Sequence, residues 1–200
     1  MQAAAWACRG FLRGGIWLPK VLYGATAGIV LVFGLAGCRG WEPLGQGKPT
    51  LELTSSSFRA GEIQKKFTCD GTETSPELAW AASPAATRSF ALIVVDRDSP
   101  LDYSFVHWVL YDLPAENREL PEGLPKQAQL PDGSRQGQND YDKIGYAAPC
   151  PPRGSHRYVF ALYALDSSLN LPPGATRKQV ENALKGHILA RGELTGRYQR

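Results

Sequence analysis

Three stretches of this sequence carry side chains whose types and spacing allow them to do chemistry together. The first is Asp96-Arg97-Asp98-Ser99-Pro100, with two carboxylates two residues apart. If strand geometry runs through them, both face one way, and paired carboxylates share a proton or hold a cation or hydrogen-bond donors. Turn chemistry alone also places Asp and Pro where a strand ends. The second stretch is Phe105-Val-His-Trp-Val-Leu-Tyr111. Alternation sets His107 on a face with Phe105 and Val109, and Trp108 opposite with Leu110. A histidine inside an aromatic strand needs a polar partner or a cavity. The third runs from Gly145 to Tyr158 and holds three prolines, Pro149, Pro151 and Pro152, which stiffen a loop at low entropic cost. His156 and Tyr158 leave it at i and i+2, so both project to one face. Two imidazoles and a phenol offer donors to phosphate oxygens, and hydrogen bonds to charged groups are about twice as strong as neutral ones. A carboxylate such as Asp96 is expected to raise histidine pKa and keep such a site cationic.

Short apolar or alternating runs separated by turn residues must position these groups, the pattern of an antiparallel sandwich. Strands are expected at Leu51 to Ser55, Glu77 to Trp80, Ser89 to Val95, Phe105 to Asp112, Arg157 to Leu165 and, briefly, Glu193 to Gly196. The Ser89 and Arg157 strands are apolar on both faces, which predicts central strands covered on both sides. One segment has helical spacing instead. Thr176 with Gln179 forms a capping box, followed by Val180, Ala183, Leu184, His187 and Ile188 at i, i+3, i+4, i+7 and i+8. His187 is expected on the buried stripe of that helix, as a core histidine more readily than a ligand.

Several motifs then stand in order: Phe67-Thr-Cys-Asp-Gly-Thr-Glu-Thr-Ser-Pro-Glu-Leu-Ala-Trp80, Asp96-x-Asp98-x-Pro100, Val106-His-Trp108, and Pro149-x-Pro-Pro-x-Gly-x-His-Arg-Tyr158. Together they resemble the phosphatidylethanolamine-binding proteins, in particular the bacterial branch similar to the Raf kinase inhibitor protein, from about Leu51 to Tyr198. The resemblance implies a mainly β fold, a Greek-key β-sandwich of two antiparallel sheets with one short helix near the carboxyl end. It also implies a cavity for phosphate-like anions, including phospholipid head groups. Carried over, its ligand-binding residues are Asp96, Asp98, Pro100, His107, His156 and Tyr158, with Pro149 or Pro151 on the rim. Alternation turns Arg157 away toward a structural ion pair. The carboxyl-terminal helix of eukaryotic members has no clear equivalent, and the helix near Val180 to Ala190 is a candidate for that wall.

The amino terminus reads as an export signal. Arg9, Arg13 and Lys20 precede an apolar run from Val21 to Leu35, too short for a permanent bilayer-spanning helix. The run closes on Leu35-Ala36-Gly37-Cys38, which resembles a bacterial lipobox, with Cys38 the residue to be acylated. Residues 1–37 are thus expected to be a signal peptide, 38–48 a flexible Gly-rich tether, and 49–200 a single domain, held to a membrane of the bacterial envelope and facing the periplasm or the exterior. The chain has 22 Lys and Arg against 19 Asp and Glu. The three surplus cations all lie in the signal, so the remainder is balanced and no basic patch suggests nucleic acid. Cys69 and Cys150 remain as a candidate disulfide of an exported protein or as two buried free thiols. The sequence carries no cofactor motif, and a metal site from His107, His156 and an aspartate would match no familiar zinc spacing. Two other classes stay open: a hydrolase with His107 or His156 as base and Asp96 orienting it, without a Gly-x-Ser-x-Gly elbow, and an inhibitor of a partner kinase or protease.

Overall fold

The computed structural model describes residues 41–200 apart from positions 82 and 102. The expected signal and Cys38 lie outside the described residues. The elements in chain order are β1 (Leu53–Thr54), β2 (Phe58–Arg59), β3 (Glu62–Ile63), β4 (Leu78–Trp80), β5 (Ser89–Asp96), β6 (Phe105–Pro114), β7 (Glu119–Leu120), β8 (Arg135–Gln136), β9 (Ser155–Leu165), α1 (Arg177–Leu184) and β10 (Ile188–Gln199). The fold is mainly β. One sheet has three strands in the order β1-β4-β7, the other seven in the order β2-β3-β10-β9-β5-β6-β8. Pairing is antiparallel except between β3 and β10.

All eight residues of β5 are buried, because each face of the large sheet has its own cover. Phe90, Leu92 and Val94 face the small sheet, where Leu53, Leu78, Trp80 and Leu120 close one core. Ala91, Ile93 and Val95 face the other way and meet Val180, Leu184 and Ile188. A strand covered twice reads as a continuous apolar run, and β5 and β9 do. The capping box of α1 is formed: the Gln179 N–H donates to Thr176 Oγ1, and the Thr176 N–H donates to Gln179 Oε1 at 2.9 Å.

Three expectations are corrected. The helix stops at Leu184 and the chain reverses through Gly186 at φ +87°. His187 therefore leaves the apolar stripe and lies exposed, its Nδ1 2.8 Å from Asp166 Oδ1. The last strand is not four residues but twelve. Gly192 and Gly196 look like turn signals, yet they sit where other chain crosses the strand. A Cβ on Gly196 would lie 2.5 Å from Ile63 Cγ1, and one on Gly192 2.7 Å from the Leu51 carbonyl.

The expected tether is, from Trp41 onward, docked on the domain. Trp41 and Leu44 pack against the core beneath α1. Trp41 Nε1 donates to Glu181 Oε1 at 2.7 Å, and the Leu44 N–H donates to Tyr163 Oη at 3.2 Å. The Gly-rich composition concealed two apolar side chains that pack, half-buried, against the domain.

Candidate functional site

Strand pairing lines up the site before any side chain is considered. Asp96, the last residue of β5, is paired with Tyr158 on β9 and with Phe105 on β6. Paired residues share a face, so Tyr158, Asp96 and Phe105 form a row at one end of the large sheet, on the side of the small one. His107 joins them through a β-bulge. Val94 pairs with Trp108 while Val95 pairs with Val106, which leaves His107 as the extra residue. Regular alternation joined His107 to Val109, which faces α1. The bulge turns the imidazole to the opposite face, 5.1 Å from the Tyr158 ring and 5.4 Å from that of Phe105.

These residues wall a cleft of about 230 Å³. Its polar groups come from Asp96, Ser99, His107, Tyr141 and Tyr158, its apolar rim from Pro100, Leu101, Phe105 and Pro152. Of the rim prolines expected, Pro100 lines the cleft. Pro149 and Pro151 do not, and Pro152 takes the place expected of one of them. The Pro149 carbonyl instead accepts from the Cys69 N–H at 3.1 Å. Cys69 and Cys150 are joined in a disulfide, with Cα atoms 5.4 Å apart. Tyr146 Oη donates to the Phe67 carbonyl at 2.7 Å. Loop 145–158 is thereby stitched to the segment after the 3₁₀ turn Lys65–Phe67, and Cys150 becomes part of the cleft wall.

The carboxylates separate. The Asp96 side chain caps the turn through Oδ1, which accepts from the Asp98 N–H at 2.9 Å. Its Oδ2 accepts from His156 Nδ1–H at 2.7 Å. His156 is thus placed behind Asp96 and outside the lining residues, not in the wall where it was expected. Asp98 leaves the cleft altogether. Strand geometry ends at Asp96, and Asp98 swings out to Arg157, whose Nε and NH2 group donate at 2.8 and 2.6 Å. That guanidinium holds the Asp98 carboxyl below its usual range. Both groups are solvent-accessible, so the pair contributes less than about 1 kcal/mol.

His107 and Tyr158 carry the unusual electrostatics. The Nδ1–H of His107 donates to the Ala147 carbonyl at 2.9 Å, which leaves Nε2 without a partner among the described residues. Burial pushes the His107 pKa down, and this outweighs both that carbonyl and Asp96. The expectation that a nearby carboxylate keeps the ring cationic therefore fails at His107, because desolvation is the larger effect. Burial, and then the Asp96 charge, push the Tyr158 phenol up, so it stays a donor. Its hydroxyl is buried, and although the Cys150 backbone N–H faces the phenol oxygen, the O–H has no acceptor among the described residues.

The comparisons with known proteins agree with this architecture. The family model described as phosphatidylethanolamine-binding protein matches residues 54–199. The chain belongs to the phosphatidylethanolamine-binding protein family. A UPF0098 protein of Aquifex aeolicus is 48% identical over 158 residues, covering 77% of this chain and 91% of the relative. A UPF0098 protein of Methanothermobacter thermautotrophicus is 46% identical over 151 residues, 75% of this chain and 99% of the relative. Among solved structures, a phosphatidylethanolamine-binding protein homologue from Chlamydia trachomatis superposes with a TM-score of 0.69 at 39% identity, over 76% of this chain and 99% of its own. The Escherichia coli YbcL structure, described as a member of the mammalian family, gives 0.69 at 30%, over 75% and 98%.

Within this phosphatidylethanolamine-binding protein family member, α1 is not the missing wall of the site. It covers the opposite face of the large sheet. The wall left open by that correction is Tyr141, which sequence reasoning missed. Its ring packs 4.7 Å from Phe105. Asn139 holds it there, accepting from the Tyr141 and Lys143 N–H groups through Oδ1. An Asn-Asp-Tyr-Asp turn signals its existence but not its direction. A larger cavity of about 630 Å³ lies between loop 138–142 and α1. Among its charged groups, Arg177 pairs with Glu181, Asp140 accepts from the Val106 N–H, and Asp142 accepts from the Gln138 side chain. The smaller cleft is the one with a buried hydroxyl whose proton lacks an acceptor.

Proposed function

We propose that this protein is a lipid-anchored protein of the bacterial envelope whose cleft binds a phosphate-bearing anion or phospholipid head group without transforming it. The observation that carries this reading is the buried Tyr158 hydroxyl, whose proton has no acceptor among the described residues, beside the open Nε2 of His107. An unmade hydrogen bond on a buried hydroxyl costs about 1–3 kcal/mol, and an acceptor oxygen in the cleft would recover it. The family membership supports the same ligand class, and the Leu35 to Cys38 lipobox supports the anchor.

Asp96 makes the site selective for protonated complexes. An anion beside a carboxylate is favourable when a proton sits between them, on His107 or on the ligand. Because the pKa of His107 is depressed, the free cleft holds a neutral ring at neutral pH, and anion binding draws in a proton. Affinity therefore rises as pH falls, by up to about tenfold per pH unit for each proton taken up. Sulfate, which does not itself titrate near neutrality, isolates the protein's share. Calorimetry with sulfate at about pH 7.5 and 5.5 is expected to show tighter binding at the lower value. Equal or weaker binding there rejects the proposal. The ligand-free domain moves oppositely: the unfolded chain protonates His107 first, so stability declines as pH drops below about 6.5.

A further inference from the structure

We propose that the mouth of the cleft is a membrane-contact surface, held against the bilayer by the short link to Cys38. This rests on the acylation of Cys38 proposed above. Among the described residues, the large hydrophobic side chains left exposed are Leu101, Tyr103 and Tyr141. Leu101 and Tyr141 line the cleft, and Tyr103, two residues beyond Leu101, lines the larger cavity beside α1 at the same end of the sheet. Exposed apolar groups gathered at one end of the sheet mark a contact surface, and tyrosine beside leucine suits the boundary between head groups and acyl chains.

The course of the chain decides what covers that surface. Trp41 is fixed at the same end of the large sheet: its N–H donates to Ser104 Oγ at 3.4 Å, and Ser104 precedes Phe105 of the cleft. Arg177 locks the place, its guanidinium 5.2 Å over the Trp41 ring and its NH1 donating to the Ser104 carbonyl at 3.1 Å. Glu181 binds both Trp41 Nε1 and Arg177 Nε. From this fixed point three residue steps lead back to Cys38, a reach of at most about 11 Å. A long tether would let the domain tumble; a link this short brings the mouth loop to the lipid surface, with the cleft opening toward the head groups.

The mature chain supplies a clean probe. With Cys69 and Cys150 bridged and Cys38 acylated, Leu101→Cys introduces a free thiol for a nitroxide label, and Asn117→Cys does so at the far end of the sheet. The full chain, exported and processed by its host, is reconstituted into vesicles of phosphatidylethanolamine and phosphatidylglycerol. Intact mass reports the acyl chains. The label at position 101 is expected to collide with a water-soluble nickel chelate at least about fivefold less often than the label at 117, and with oxygen more often, as at a bilayer interface. Equal chelate exposure at both positions in acylated protein overturns the membrane-contact surface and leaves the anchor standing. Cys38 without acyl chains overturns the anchor, and the surface with it.

Discussion

Tyr158→Phe is expected to make the empty domain more stable and the ligand-binding domain worse, a pairing of signs that a merely structural tyrosine would not give. The phenol is buried, and its O–H has no acceptor among the described residues. Removing it keeps the ring that packs on His107 and relieves an unpaired polar atom, which raises unfolding free energy by about 1 kcal/mol. With an anion present the same hydroxyl becomes a donor to a charged acceptor, worth about 1.5–3 kcal/mol. Phosphate affinity should therefore fall about 10- to 100-fold. Thermal unfolding with and without phosphate, together with calorimetry, reads both changes. A variant less stable than the parent, binding phosphate as tightly, would show that the hydroxyl is satisfied within the protein.

The second large effect concerns the loop that frames the cleft. Converting Cys69 and Cys150 together to serine opens a covalent loop spanning 81 residues. Loop-closure entropy for that length gives a loss of about 4 kcal/mol, or a fall in melting temperature of roughly 10 °C for a domain of this size. Because Cys150 is part of the cleft wall, anion affinity should weaken as well. Denaturant unfolding of the variant checks the first effect; a loss below about 1 kcal/mol would show that hydrogen bonds such as Tyr146 to Phe67 hold the loop unaided.

What the sequence made legible follows from where its signals are local. The strands β5 and β9 announce themselves because covering a sheet twice requires apolar residues on both faces, and α1 because a capping box is four residues long. The strand β10 looks short in the sequence because glycine usually marks turns, whereas Gly192 and Gly196 answer to chain lying over them. The facing of His107 depends on a bulge defined by the pairing of β5 with β6, which alternation along one strand cannot register. Tyr141 lies in a loop, where spacing carries no direction. The separation of Asp96 from Asp98 depends on the strand ending between them. Motif order brought Asp96, His107 and Tyr158 to one cleft; which hydrogen bond each still lacks required their partners.

The most direct test is a crystal of the domain soaked with phosphoethanolamine. Its phosphate is expected within hydrogen-bond distance of Tyr158 Oη and His107 Nε2. A cleft left vacant, with the ligand bound elsewhere, would contradict it.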